Sequence, residues 1–441
     1  MYRPAPVLSR RMLLRGSALL AGGAALPGIA LAREGQTVTR WPGVEAMMRS
    51  YVDTGKVANM VAALGRGQDA PEFIAMGDTS FTSGIAAGPD TLYRIYSMTK
   101  PLTAMATMLL IEEGKLSLDQ PIADILPAFA DMQVQKTYDG AITPDNLEPA
   151  ERAITVRHCL THTAGLGYSI VQQGPIADYY NANGIVPGQV TRLELPAISR
   201  AKPAPSLAEF ADRLAAAPLV YQPGTRWSYS VGLDLLGRVI EVVSGQPFDT
   251  FLQQRFLDPI GMTSTFFRVP ESEKERLTAN YFVAGGALVP IDLPGDSIYL
   301  DAPAFPFGGA GLVSSARDYD RFLQMIAGRG SIDGTRVLAP ETVDLATSDL
   351  MPDTLATDGG FSFGEQQFGF GAGGLVGRGM AEGLFGWFGA AGTAGLVNLK
   401  MGLRQTLMTQ FMPAETYPLM SQFPLTVAQD AVMQMRMNAG G

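Results

Sequence analysis

The segment Leu92–Pro101 reads LYRIYSMTKP and carries a serine and a lysine with a distinctive spacing. It leads from an apolar run into a helical pattern that extends over residues 98–113 and stops at Gly114. Ser97 and Lys100 are three positions apart, so on the first helical turn they share a face and the amine can reach the hydroxyl. A serine hydroxyl is a weak nucleophile until a base removes its proton. The S-x-x-K spacing therefore makes Ser97 a candidate nucleophile and Lys100 a candidate base.

Histidine is scarce, which argues against the usual serine-hydrolase triad. The chain has two histidines, His158 and His162. Residues Gly360–Gly364 fit the pattern G-x-S-x-G, but the triad of an α/β-hydrolase requires a histidine after the serine, and none follows. The two histidines are four positions apart, a spacing that can bind zinc on a helix, yet no glutamate lies between them and the sequence offers no third ligand. We predict a structural pair, no metal and no cofactor.

The composition indicates a large packed protein that does not bind nucleic acid. Of 441 residues, 46% are hydrophobic and 17% charged, which is ample for a sizeable core. The formal net charge of −9 and the lack of a basic run argue against binding to phosphate backbones. Cys159 is the one cysteine, which excludes an intrachain disulfide, and we expect it to be a buried thiol.

The N-terminus has the features of an export signal. Ser9–Leu14 contains a twin-arginine pattern, and a weakly apolar run follows as far as Ala32. We predict a twin-arginine signal peptide over residues 1–32 and a periplasmic or secreted location; an uncleaved N-terminal helix is the alternative. No later stretch is long and apolar enough to span a bilayer, so stable membrane insertion is not expected after the signal is removed.

Several further segments resemble the serine β-lactamase-like family, above all class C β-lactamases and family VIII carboxylesterases. They follow Leu92–Pro101 in the same order as in the family. These segments are Glu113–Asp119, Ile154–Leu166, Gln222–Ser230 and Phe307–Asp318. Strands near both ends with helices between them already indicate an α+β class. The resemblance implies a single β-lactamase/transpeptidase-like domain over residues 33–441, with an antiparallel sheet flanked by helices. Its sheet lobe would comprise about 33–120 and 290–441, and its helical lobe about 121–289.

The resemblance also implies roles for residues far from Ser97. Tyr229 stands at the tyrosine of the family's Y-x-N motif and would share protons with Lys100 and Ser97. Val231 replaces the asparagine that grips the substrate amide in β-lactamases. The backbone N–H groups of Ser97 and Ala390 would form the oxyanion hole.

The family's third motif is altered in a way that bears on the substrate. Where β-lactamases have K-T-G, this chain has Trp387, Phe388 and Gly389. An indole cannot pair with a substrate carboxylate, but it offers a flat apolar wall. The substrate cleft is therefore predicted to include Val231 and these three residues.

The predicted function is a carboxylesterase that forms an acyl-enzyme on Ser97 and accepts small or medium neutral esters. The expected partner is a small-molecule ester or amide, and the oligomeric state is left open. One alternative is a β-lactamase or a D-alanyl-D-alanine carboxypeptidase-like enzyme, for which Arg378, Lys400 or Arg404 would have to supply the missing cation. A further alternative is a catalytically silent paralogue that binds ligands.

Overall fold

The computed structural model describes residues 39–194, 201–352, 355, 361–363 and 366–439. The twin-arginine segment lies outside the described residues, as do Gly360 and Gly364 of the G-x-S-x-G pattern. No helix within these ranges combines the length and the apolar character needed to cross a membrane.

The described strands fall near both ends of the chain and in short pairs between them. They are β1 (Asn59–Arg66), β2 (Glu72–Gly77), β3 (Leu92–Arg94), β4 (Gln133–Gln135), β5 (Leu147–Pro149), β6 (Asn280–Ala284), β7 (Ala287–Asp292), β8 (Val313–Ser315), β9 (Ser331–Ile332), β10 (Thr335–Arg336), β11 (Phe361–Phe363), β12 (Gln366–Phe370), β13 (Leu375–Val376), β14 (Leu384–Phe388), β15 (Ala394–Asn398) and β16 (Leu403–Met408).

The described helices lie mostly between these two groups of strands. They are α1 (Pro42–Val52), α2 (Thr99–Glu112), α3 (Val156–Leu160), α4 (Gly174–Ala182), α5 (Leu207–Ala215), α6 (Gly232–Ser244), α7 (Phe248–Leu252), α8 (Asp258–Ile260), α9 (Ala316–Ala327), α10 (Pro340–Ala346) and α11 (Leu419–Ala439).

The main sheet joins the two ends of the chain. It has eight antiparallel strands in the order β11-β12-β13-β14-β15-β16-β1-β2. Side chains of a strand alternate between its two faces. In β1, Val61 and Ala63 face the main core with α9, whereas Met60, Ala62 and Leu64 face a second core with α1 and α11. The sheet is therefore covered by helices on both faces, which confirms the predicted α+β fold; the boundaries of the two lobes stay a prediction.

Helix α2 is buried on all sides. Every residue from Thr99 to Leu110 is buried, and the helix contacts α6, α10 and β14. A mainly apolar helix with no polar face belongs inside a protein, and the predicted helix over residues 98–113 is confirmed as Thr99–Glu112. The first turn of α2 is thus held rigidly between the sheet and the helices.

A buried ion pair fixes the strand that leads to α2. Arg94 is fully buried in β3, and its Nε donates to Asp292 Oδ2 at 2.6 Å. Its other nitrogens donate to the Thr278 carbonyl at 2.6 Å and to Ser297 Oγ at 3.1 Å. A buried charge is tolerated only when it is paired and hydrogen-bonded in this way. The pair ties β3 to the β6–β7 hairpin three residues before Ser97.

Candidate active site

Ser97 lies in a 3-10 turn, Tyr96–Met98, directly before α2. Tyr96 has a φ of 43°, in the left-handed region that bulky residues rarely adopt, and Asn280 Nδ2 donates to its hydroxyl at 3.0 Å. Ser97 is partly exposed, whereas both neighbours are buried. Backbone strain of this kind is common at functional sites, and here it presents one hydroxyl to solvent.

Lys100 places its amine beside that hydroxyl. The side chain is fully buried, and Nζ lies 3.3 Å from Ser97 Oγ. Nζ also donates to the Gly309 carbonyl at 2.8 Å, which holds the amine in place. The helical spacing has therefore brought the predicted nucleophile and base within hydrogen-bond distance of each other.

Tyr229 covers the amine from a distant part of the chain. Lys100 Nζ lies 4.5 Å from the centre of the Tyr229 ring and 5.4 Å from that of Tyr168. The Tyr229 hydroxyl accepts a hydrogen bond from Trp387 Nε1 at 3.0 Å. Within the described residues, no direct hydrogen bond joins this hydroxyl to Ser97 or Lys100. Catalytic hydrogen bonds often tighten only when substrate is bound, so the predicted proton exchange remains a prediction.

The turn after β14 lies close to the segment that carries Ser97. A Cβ on Gly389 would lie 2.5 Å from the Ile95 carbonyl oxygen, so glycine alone permits this approach. Gly389 N–H donates to the Thr393 carbonyl at 2.9 Å, which closes the turn. Ala390 is exposed, and its N–H has no hydrogen-bond acceptor among the described residues. A free N–H in this turn is suited to bind an oxyanion, and the oxyanion hole of Ser97 and Ala390 stays a prediction.

The predicted cleft residues are not all at the surface. Trp387 is 8% exposed, Phe388 is partly exposed and Gly389 is buried. Val231 directly precedes α6 and is fully buried in the main core, and its place in the substrate cleft stays a prediction.

The chain matches the Beta-lactamase family over residues 44–421. The chain belongs to the beta-lactamase family. It is 34% identical over 311 residues to Protein Rv1367c of Mycobacterium tuberculosis (strain ATCC 25618 / H37Rv), covering 70% of this chain and 72% of that protein. It is 32% identical over 361 residues to Esterase EstB of Burkholderia gladioli, and the match covers 78% of this chain and 82% of that protein.

The fold is shared with solved structures as well. EstCE1, a hydrolase with promiscuous acyltransferase activity, has a TM-score of 0.70 at 24% identity, covering 88% of this chain and 97% of that one. The predicted family, the β-lactamase/transpeptidase-like fold and the serine-hydrolase class are thereby confirmed.

The two histidines take separate positions in this beta-lactamase-family chain. His158 Nδ1 accepts the Thr155 N–H at 3.2 Å in a capping box at the start of α3, and burial lowers the pKa of His158 to about 4. His162 lies beyond the end of α3, and its Nδ1 accepts the Ser230 N–H at 3.2 Å. Burial, and then the Lys100 charge, holds the pKa of His162 well below its usual value. The rings do not share a helix face, and no group of three metal-binding side chains lies within the described residues.

Sequence reasoning missed a cluster of aromatic residues beside Tyr229. Trp227 stacks on Tyr229 with ring centres 6.1 Å apart, and Phe361 contacts both Trp227 at 4.6 Å and Trp387 at 5.5 Å. Phe370 contacts Trp387 at 5.2 Å. Scattered aromatics carry no motif, and the pairing of β11, β12, β13 and β14 brings those on the strands together. The cluster gives the site a rigid apolar side.

Asp234 is the second feature that sequence reasoning missed. It is fully buried in the first turn of α6, and Oδ1 accepts the Gly309 N–H at 2.8 Å. Burial raises the pKa of Asp234 to about 6, opposed by the Lys100 charge and by the Gly309 hydrogen bond. A single acid within the apolar run LDLLG was the available signal.

Proposed function

We propose that this chain is a carboxylesterase that hydrolyses small or medium neutral esters through an acyl-enzyme on Ser97. The observation that carries the proposal is the contact between Trp387 and Tyr229. At the position where the family's β-lactamases have a lysine for the substrate carboxylate, this chain has an indole whose N–H bonds the tyrosine hydroxyl. The esterase relative from Burkholderia gladioli supports the same class.

Charge pairing favours a neutral substrate. A β-lactamase or D-alanyl-D-alanine carboxypeptidase needs a cation for the carboxylate of its substrate. The three cations considered for this role are each in an ion pair: Arg378 with Asp349, Lys400 with Glu382 at 2.7 Å, and buried Arg404 with Asp320 at 3.1 Å. Because these charges already have carboxylate partners, a carboxylesterase is preferred over a β-lactamase or carboxypeptidase.

The proposed reaction has two acyl-transfer steps. Ser97 Oγ attacks the ester carbonyl carbon while Lys100 and Tyr229 accept its proton, and the carbonyl oxygen becomes an oxyanion held by the N–H groups of Ser97 and Ala390. When the tetrahedral intermediate collapses, the bond to the alkoxide breaks and Tyr229 returns a proton to it. Water then loses a proton to the same pair, attacks the acyl carbon and releases the acid, with Ser97 regaining its proton.

A comparison of two chromogenic substrates tests the proposal. We expect kcat/KM for p-nitrophenyl butyrate to exceed that for nitrocefin by about 100-fold or more, because the cephalosporin carboxylate would meet an indole instead of a cation. Both rates are measured on the same preparation. Faster turnover of nitrocefin would reverse the assignment in favour of a β-lactamase.

A silent ligand-binding paralogue is separated from an enzyme by covalent labelling. The distance of 3.3 Å between Lys100 Nζ and Ser97 Oγ favours a reactive hydroxyl. A fluorophosphonate probe should therefore label Ser97, as located by peptide mapping. A chain that only binds ligands would stay unlabelled.

The hydrogen bond from Trp387 to Tyr229 predicts a specific kinetic defect. Replacing Trp387 with phenylalanine keeps an aromatic ring but removes the N–H donor. The kcat for p-nitrophenyl butyrate should therefore fall about tenfold, which corresponds to about 1.4 kcal/mol, within the range of a single hydrogen bond. Trp227→Phe is the matched control, because the Trp227 indole nitrogen has no hydrogen-bond partner among the described residues. Its expected loss is below about threefold. Equal losses in both variants would contradict the proposed role of the donor.

We also propose that the protein is exported by the twin-arginine route. The support is the pair Arg10-Arg11 ahead of a weakly apolar run that ends in small residues near Ala32. Fractionation of expressing cells tests this proposal, and accumulation of the native protein in the cytoplasm would contradict it.

A further inference from the structure

A buried acid and a buried amine meet at one glycine. Asp234 Oδ1 accepts the Gly309 N–H at 2.8 Å, and the Gly309 carbonyl accepts Lys100 Nζ at 2.8 Å. The carboxylate lies so close that a Cβ on Gly309 would be 2.5 Å from Asp234 Oδ2. Oδ2 itself has no hydrogen-bond partner among the described residues. The acid is therefore held near the amine without a direct ion pair.

The loop that carries Gly309 is clamped between two helices. A Cβ on Gly308 would lie 2.5 Å from the Leu233 carbonyl of α6, and the Gly308 carbonyl accepts the Thr103 hydroxyl of α2 at 2.7 Å. Glycine is needed here because the backbone approaches both helices closely. Since the loop has no room to shift, the Gly309 carbonyl is a fixed acceptor for the amine.

Several titratable groups surround the Lys100 amine, and they come from different elements. They are Ser97 from the preceding turn, His162, Tyr168 and Tyr229 from loops, and Asp234 from α6. His162 stays neutral at working pH, because burial holds its pKa well below the usual value. Among these described neighbours, Asp234 is the carboxylic acid and so the group able to supply negative charge near neutral pH.

The carboxyl group of Asp234 changes its charge in the pH range in which the proposed esterase would act. Burial raises the pKa of its carboxyl to about 6, since the charged form loses hydration. In a buried site the field of such a charge is weakly screened. Ionised Asp234 therefore favours the ammonium form of Lys100, and an ammonium group cannot accept the Ser97 proton.

We propose that Asp234 is a positioning residue that aligns Lys100 through Gly309 and whose negative charge sets the acidic limb of Ser97 reactivity. The proposal rests on the proposed function, because it concerns the same nucleophile. The direction of the expected effect follows from electrostatics. A neutral side chain at position 234 no longer stabilises positive charge on the Lys100 amine, so Ser97 should react at lower pH.

The test measures how fast a fluorophosphonate probe labels Ser97 between about pH 5 and pH 9. In Asp234→Asn, the acidic limb of the labelling rate should move to lower pH by about one unit, as expected for the loss of an opposite charge nearby. Asp318→Asn is the matched control, since Asp318 is also buried but faces Arg276 and Arg321 instead of Lys100. The acidic limb of the labelling rate in Asp318→Asn should coincide with that of the native chain.

The outcomes separate this proposal from the function itself. A slower Asp234→Asn variant with an unmoved acidic limb would reduce Asp234 to a structural role and overturn the proposal. Failure of the native chain to label would instead contradict the proposed serine hydrolase mechanism.

A second measurement needs no folded variant at position 234. In the native chain with 13C-labelled lysine, the Lys100 signal, assigned by its loss in Lys100→Met, should show an inflection near the pH at which Asp234 titrates. A Lys100 signal without that inflection would overturn the proposal.

Discussion

Replacing Ser97 with alanine is expected to lower kcat/KM for p-nitrophenyl butyrate by about 10^4-fold or more. In the proposed mechanism the hydroxyl oxygen forms the covalent bond to the acyl group, and without it the remaining oxyanion donors and binding surface would leave only a weak residual activity. Folding should be retained, because the change deletes a single partly exposed oxygen. Steady-state kinetics and thermal unfolding of the variant check both statements.

The control for this variant is the other serine in a hydrolase-like pattern. Ser362 of the G-x-S-x-G pattern is exposed in β11, and Ser362→Ala should keep the native rate. The pair of variants also decides between the two serine motifs. Full activity in Ser97→Ala together with loss in Ser362→Ala would refute the proposed nucleophile.

Replacing Lys100 with methionine is expected to lower kcat/KM by about 10^3-fold. Methionine fills a similar buried volume but cannot accept the Ser97 proton, and positioned acid–base groups contribute about 10^2 to 10^4 in rate. The Gly309 carbonyl would lose its donor, which costs about 1–3 kcal/mol of unfolding free energy. The melting temperature should therefore fall slightly, while the loss of activity at a permissive temperature persists.

Lys115→Met serves as the comparison for the lysine variant. Lys115 follows α2 and keeps 48% of its side chain exposed in an ion pair with Glu113. Exposed pairs of this kind contribute little, so the control should match the native rate. Retention of more than about a tenth of native kcat/KM in Lys100→Met would contradict the role of its amine as base.

The local parts of the fold were readable from the sequence because they depend on neighbouring residues. The start and end of α2 followed from an apolar run bounded by Ser97 and Gly114, and the structure places the helix at Thr99–Glu112. The closeness of Ser97 and Lys100 needed only helical geometry. Family resemblance added the fold and Tyr229, which the structure brings over the amine.

Contacts between distant segments were not readable in the same way. The hydrogen bond between Trp387 and Tyr229 joins residues 158 positions apart, and no pattern in either segment predicts contact with the other. Burial was likewise not evident from the sequence: Val231, predicted to line the cleft, directly precedes α6 and is fully buried in the main core.

By itself, the sequence indicated the α+β class through the order of its strands and helices, and the S-x-x-K pair through helical spacing. Its resemblance to the family added that the third motif has no lysine. Only the tertiary structure decided that Asp234 and Lys100 both bind Gly309. It also decided that Trp227 and aromatic side chains of β11, β12 and β14 pack beside Tyr229. Such contacts depend on how α6, the 307–311 loop and the sheet pack together, and packing free energy is shared among many residues that are far apart in the chain.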